Sequence, residues 1–155
     1  MSDTGGSGRI IALDIGTVRI GVAASDPTGV FANPVAVLKA GENWMDGLAE
    51  IVDEYGAVKL LVGLPRRTDG SEGPEAKSVR RVISRLSARF PDMEILTWDE
   101  RFTTVIAASA LLEADVSRAR RKGRIDKVAA SILLQSYLDA NNPVKLGVAS
   151  LHQNY

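Results

Sequence analysis

The sequence predicts an α/β fold, a mixed five-stranded sheet with helices packed on it, in the element order βββαβαβαα. Three observations lead there. Short apolar runs of strand length recur along the chain, and the first three are separated only by tight turns. The later runs alternate with segments whose apolar residues fall at helical spacing. Strands joined by turns form an antiparallel meander, whereas strands joined through helices return in parallel.

Arg9-Ile10-Ile11-Ala12-Leu13-Asp14 reads as a strand that ends on an acid, with Ile15-Gly16-Thr17 as the turn and Arg19 to Asp26 as the returning strand. Pro27-Thr28-Gly29 is the next turn, and Val30 to Leu38 is a third strand. Pro34 places that strand at a sheet edge, where a missing N–H is tolerated. Trp44, Leu48, Ile51, Val52 and Tyr55 share a helical face, with Asn43 as the expected N-cap. Val58 to Leu64 is a compact apolar strand stopped by Pro65, and a polar loop, Arg66 to Gly73, leads out of it. The next helix carries Ala76, Val79, Val82, Ile83 and Leu86 as its apolar stripe, with Arg80, Arg81, Arg85 and Arg89 largely off it. Met93 to Trp98 forms the fifth strand and runs into Asp99-Glu100-Arg101. Thr103 or Thr104 can cap a short helix through Leu112. A basic stretch follows. Ile125, Val128, Ala129, Ile132 and Leu133 then mark a final helix that ends near Asn141-Asn142-Pro143. Residues 1–8 are expected to be a flexible tail, 9–142 the folded domain and 143–155 a loosely docked tail.

With 155 residues, 45% of them hydrophobic and 25% charged, the chain has the size and composition of one soluble domain. It has no cysteine, which excludes disulfides, thiolate-bound metals and a thiol nucleophile. The one histidine, His152, stands in the C-terminal tail and argues against a serine–histidine triad or a histidine-rich metal site. No segment reads as a signal peptide or a membrane span, so a cytoplasmic location with no membrane partner is expected. The chemistry therefore rests on carboxylates, hydroxyls, lysines and arginines.

Ligands of open α/β sheets gather beyond the carboxyl ends of the strands. Asp14 closes the first strand and Glu100 follows the fifth, so parallel pairing brings both to one rim. Asp126 is expected in the first turn of the last helix, where Ala129, Ala130 and Leu133 at helical spacing turn it towards the sheet. Each acid also has a structural explanation, as a turn residue or as a helix N-terminal acid favoured by the dipole. Three converging carboxylates, however, repel one another unless a cation sits between them. Mg²⁺ or Mn²⁺ suits oxygen ligands without histidine, and two ions about 4 Å apart support phosphodiester cleavage. Arg118, Arg120, Arg121, Lys122 and Arg124 form a basic run directly before Asp126, and Lys127 extends it. Such a run is commonly a solvated charged loop. Beside candidate metal-binding acids it is expected to grip backbone phosphates, with Arg66 and Arg67 on the same rim extending the grip.

The blocks that carry these residues resemble a known family. Ala12-Leu13-Asp14-Ile15-Gly16-Thr17 with Arg19 to Ala23 resembles the opening signature of the RuvX-like (YqgF) Holliday junction resolvases. Val62-Gly63-Leu64-Pro65 with Asp69 to Gly73 is similar to the second block, and Asp99-Glu100-Arg101-Phe102-Thr103-Thr104 to the third. Ile125 to Ala130 with Ile132-Leu133-Leu134-Gln135 is similar to the fourth. The resemblance implies an RNase H-like fold and a divalent-metal nuclease that processes the 5′ end of pre-16S rRNA or resolves branched DNA. By analogy it assigns metal binding and catalysis to Asp14, Glu100 and Asp126. The chain departs from the family pattern at Arg66-Arg67, where an apolar residue and an asparagine are common. It departs again around Asp126, where Gly123 and Ala129 replace the second acid that related resolvases place a helical turn away.

Two other functions fit parts of the pattern. Asp14-Ile15-Gly16-Thr17 after a strand also resembles the phosphate loop of sugar kinases and Hsp70-like ATPases, but those need two such lobes and this chain supplies one. A nucleic-acid or ribosome-associated binding module without catalysis is the other. Symmetric cleavage of a four-way junction calls for two sites in one complex, hence a homodimer.

Overall fold

The computed structural model describes residues 8–41, 43–102 and 118–141, with side chains in the last segment from Val128 onward. Strands β1 (Arg9–Ile15), β2 (Arg19–Ser25) and β3 (Ala32–Lys39) form the meander. They are followed by α1 (Trp44–Tyr55), β4 (Ala57–Leu64), α2 (Pro74–Arg89) and β5 (Glu94–Asp99). A single 3₁₀ turn, Glu100–Phe102, leaves β5, and α3 (Arg118–Asn141) completes the described chain.

The five strands make one sheet in the order β3-β2-β1-β4-β5. β1 is antiparallel to β2 and β2 to β3, while β1, β4 and β5 run parallel, as the connections predict. β3 is an edge strand and carries Pro34 where its register with β2 slips, the position in a sheet that tolerates proline. β5 forms the other edge.

Alternation along the central strands divides the core into two layers. Ile11, Leu13, Val22, Leu60, Val62 and Leu64 pack with Trp44 and Leu48 of α1 and Ala76, Val79 and Leu86 of α2. Ala12, Ala23 and Leu61 face the opposite way and pack with Ala130, Leu133, Leu134 and Leu138 of α3. The small side chains on this second face let α3 lie close to the sheet. Burial on both faces explains why β1 and β4 read as nearly continuous apolar runs.

Several local expectations are corrected. The third strand begins at Ala32, because Asp26 holds the preceding turn: its Oδ1 accepts the Val30 and Phe31 amides at 2.9 and 3.1 Å. Asn43 makes no side-chain cap; its φ of −105° and ψ of 10° lie outside the extended region that a capping residue adopts. The last helix starts at Arg118 rather than near Ile125, since Arg118 to Lys122 are strong helix formers. Asp126 is therefore interior to α3, and the N-terminal dipole explanation for it falls away. The helix expected over 103–112, all but Gly8 of the tail expected over 1–8, and the tail expected over 143–155, with His152, lie outside the described residues.

Candidate active site

Asp14 lies one residue before the end of β1 and shares strand parity with Ala12, so it rises on the α3 face of the sheet. In β2 it pairs with Gly21. In β4 it stands level with Gly63, because Leu13 pairs with Val62. Asp14 is thus flanked on its own face by two strand positions without side chains.

Glu100 approaches from the other side. Trp98 pairs with Gly63, and the chain leaves β5 through the 3₁₀ turn, which brings Glu100 back over β4 beside Gly63 and Leu133. Burial pushes its carboxyl up, and the charges of Asp14 and Asp99 push it further, to about 7. The two acids predicted to share a rim therefore do so, close enough for one charge to disfavour the other.

Asp126 belongs to α3 by its backbone, four positions before buried Ala130; its side chain lies outside the described residues. Among the described residues no group of three or more acids or histidines is arranged to hold a metal ion. The basic run Arg118, Arg120, Arg121, Lys122 and Arg124, with Lys127, is helical along its backbone rather than looped, and its side chains are likewise not described.

The loop after β4 is ordered by its own polar groups. Asp69 Oδ1 accepts the Ser71 amide at 2.9 Å and the Ser71 hydroxyl at 2.6 Å. Gly70 takes a φ of 90° as the Arg67 carbonyl accepts its amide at 2.8 Å, a conformation that favours glycine. Glu72 receives Arg80 Nε and Nη2, both at 2.7 Å, and lies 3.7 Å from Arg66. Arg66 is therefore already partly neutralised, whereas Arg67 is exposed with no ion pair among the described residues. Thr17 is exposed in the β1–β2 turn, and Thr103 lies outside the described residues.

Two residues that seat α3 over this site were given no such role by their sequence context. Gln135 accepts the Ala32 amide at 2.9 Å and donates to the Val30 carbonyl at 2.8 Å, clamping the start of β3 to α3. Trp98, expected at the end of the fifth strand, donates from Nε1 to Ser136 Oγ at 3.2 Å and meets Tyr137 edge-on with ring centroids 5.4 Å apart. Together they seat α3 across the sheet from both edges.

A mixed sheet in this strand order, with acids at the ends of β1 and β5 beneath a long helix, defines an RNase H-like protein. Within that class the chain belongs to the RuvX family, whose model, described as a Holliday junction resolvase, matches residues 8–140. It is 46% identical over 136 residues to a protein of Halothermothrix orenii, covering 86% of this chain and 96% of the relative. A protein of Desulforamulus reducens is 43% identical over 134 residues, covering 85% and 97%. Both relatives bear the name of a proposed pre-16S rRNA nuclease. Among solved structures, RuvC of T. thermophilus in complex with a Holliday junction substrate superposes with a TM-score of 0.54. That match is 12% identical and covers 87% of this chain and 97% of RuvC, so the likeness is one of fold.

Proposed function

We propose that this chain is a divalent-metal-dependent nuclease that hydrolyses phosphodiester bonds in structured nucleic acid, with Asp14, Glu100 and Asp126 as its catalytic, metal-binding carboxylates. The observation that carries the reading is the convergence of Asp14 and Glu100 on one face of the sheet beneath α3. Two carboxylates brought together under partial burial are unfavourable alone and become favourable around a cation. Their donor set is all oxygen, which suits Mg²⁺ or Mn²⁺. When bound, such ions, two in the full reading, polarise the phosphate and lower the pKa of a water.

The rest of the work falls to the chain itself. Asp14 is held by β1 and Glu100 by the turn after β5, so neither needs to be ordered when substrate arrives. Asp126 would complete the set from α3. Arg66, Arg67, Arg118, Arg120, Arg121, Lys122, Arg124 and Lys127 would hold backbone phosphates without reading bases. Among the described residues no helix is long and apolar enough to cross a membrane, and the reading places the protein in the cytoplasm. The names of the curated relatives favour the 5′ end of pre-16S rRNA as substrate, and the family description favours branched DNA.

A substrate panel of four-way junction, flap, duplex and structured RNA, assayed with Mg²⁺ and with Mn²⁺, separates these substrates. Asp14→Asn should abolish every metal-dependent cleavage while keeping the fold by circular dichroism. Equal cleavage by variant and parent would sink the assignment, and intact binding without cleavage in either would leave a binding module.

A further inference from the structure

Gly63 presents an anomaly that the backbone does not explain. It sits in β4, a central strand, between buried Val62 and Leu64, and glycine weakens a strand interior. The described glycines with positive φ are Gly29, Gly56 and Gly70, so Gly63 is not needed for an unusual conformation. Space is the remaining reason, and the neighbours show whose space it is. A Cβ at residue 63 would lie 2.7 Å from Glu100 Oε2, 3.1 Å from Glu100 Cγ and 3.1 Å from Leu133 Cδ2. Leu133, buried on α3, need give only a few tenths of an ångström. The 2.7 Å contact is too short to keep, so it is the Glu100 carboxylate, at the free end of its side chain, that has to move.

We propose that Gly63 is a positioning residue for Glu100: its missing side chain forms the seat that lets a carboxylate leaving β5 lie back over β4, level with Asp14. The inference rests on the reading of Glu100 as a metal-binding catalytic acid. An alanine would lift the carboxylate off the sheet and away from Asp14. The carboxylate itself would remain, so the defect is one of geometry.

The test uses the full chain, with Mn²⁺ binding followed by calorimetry and cleavage followed as separate kcat and KM. Gly63→Ala should weaken Mn²⁺ binding and lower kcat by about ten- to a hundredfold, the range for residues that orient a metal ligand, with KM for the nucleic acid little changed. Leu133→Ala removes the packing contact but keeps the seat; it should lower the melting temperature and leave Mn²⁺ affinity close to the parent's. Should Gly63→Ala fold poorly, Gly63→Ala/Leu133→Ala relieves the packing clash, still crowds Glu100 and should show the same binding defect. Glu100→Asp in the Gly63→Ala background shortens the acid by one methylene and should recover part of the lost affinity. Parent-like binding and turnover in the Gly63→Ala chain would overturn the proposal. An equal loss in Leu133→Ala, with no recovery in Gly63→Ala/Glu100→Asp, would also overturn it, since the glycine would then serve packing alone. Glu100→Gln distinguishes the two levels. Parent-like cleavage there would remove Glu100 from the reaction and the seat with it, whereas its loss beside a parent-like Gly63→Ala would remove the seat alone.

Discussion

Arg101 folds back on Asp99: its Nη2 donates to Asp99 Oδ2 at 2.6 Å, its Nε to both carboxylate oxygens at 2.9 and 3.1 Å, and its amide to Oδ1 at 2.9 Å. The guanidinium also holds Asp99 below the usual carboxylate range, and its Nη1 reaches the Thr68 carbonyl at 3.3 Å. One side chain thus clips the loop after β4 to the end of β5. It also keeps Asp99 charged beside Glu100.

This clip makes Arg101 a poor candidate for direct phosphate contact and a good one for organising the rim. Arg101→Lys keeps the charge but loses the planar fork. The expected outcome is a small change in melting temperature and a rise in KM for the substrate, as the loop carrying Arg66 and Arg67 loosens. Hydrogen exchange at Thr68 to Ser71 should quicken in the variant; unchanged exchange there would mean the loop holds itself.

Glu100 sets the pH dependence. Its folded carboxyl is raised to about 7 from an ordinary value of 4.5, so between these values the folded chain binds a proton that the unfolded chain has released. Stability of the metal-free protein should therefore fall as pH rises through that window. Glu100→Gln removes the charge and should flatten the fall, leaving the variant more stable than the parent near pH 8 and inactive. Thermal melts with chelator at pH 5 and pH 8 measure both. Raising the Mn²⁺ concentration should shift the parent's activity profile towards lower pH, because the ion competes with the proton for the same oxygens.

Gln135 ties α3 to the edge strand through two hydrogen bonds that span more than a hundred positions in the chain. Gln135→Ala leaves the Ala32 amide and the Val30 carbonyl without these bonds, at a cost of about 1–2 kcal/mol. For a domain of this size that corresponds to a melting temperature lower by roughly 2–8 °C. Exchange at the Ala32 amide should accelerate more than exchange in β4, and a uniform acceleration would contradict a local clamp.

Neutralising Arg118, Arg120, Arg121, Lys122 and Arg124 together should weaken substrate binding and flatten its salt dependence. Each lost phosphate contact lowers the slope of log K against log salt by about 0.9 on duplex DNA and about 0.7 on single strands. At saturating substrate kcat should change little. An unaltered slope would return the run to a solvated helical surface.

Much of this architecture was legible in the residues. The strands announce themselves by apolar runs and turns, a local signal. Asp14 and Glu100 could be placed on one rim because parallel strands separated by helices must end on the same side. The starts of α3 and β3 differ from the sequence expectation for local reasons: arginine and lysine extend a helix as readily as they form a loop, and Asp26 stretches the second turn. Gly63 and Gln135 appear in the sequence only as members of family-like blocks, and nothing local to either shows the contact it makes.

The sequence by itself determined the order of elements, the absence of thiol chemistry and which acids stand at strand ends. These follow from periodicity, composition and connection length. Only the tertiary structure decided that Glu100 leans over Gly63 towards Asp14, that Arg101 is spent on Asp99 and that Gln135 grips the far edge of the sheet. Each of those facts depends on strand register and on a side chain's reach across neighbouring elements, and neither is encoded in any one stretch of the chain.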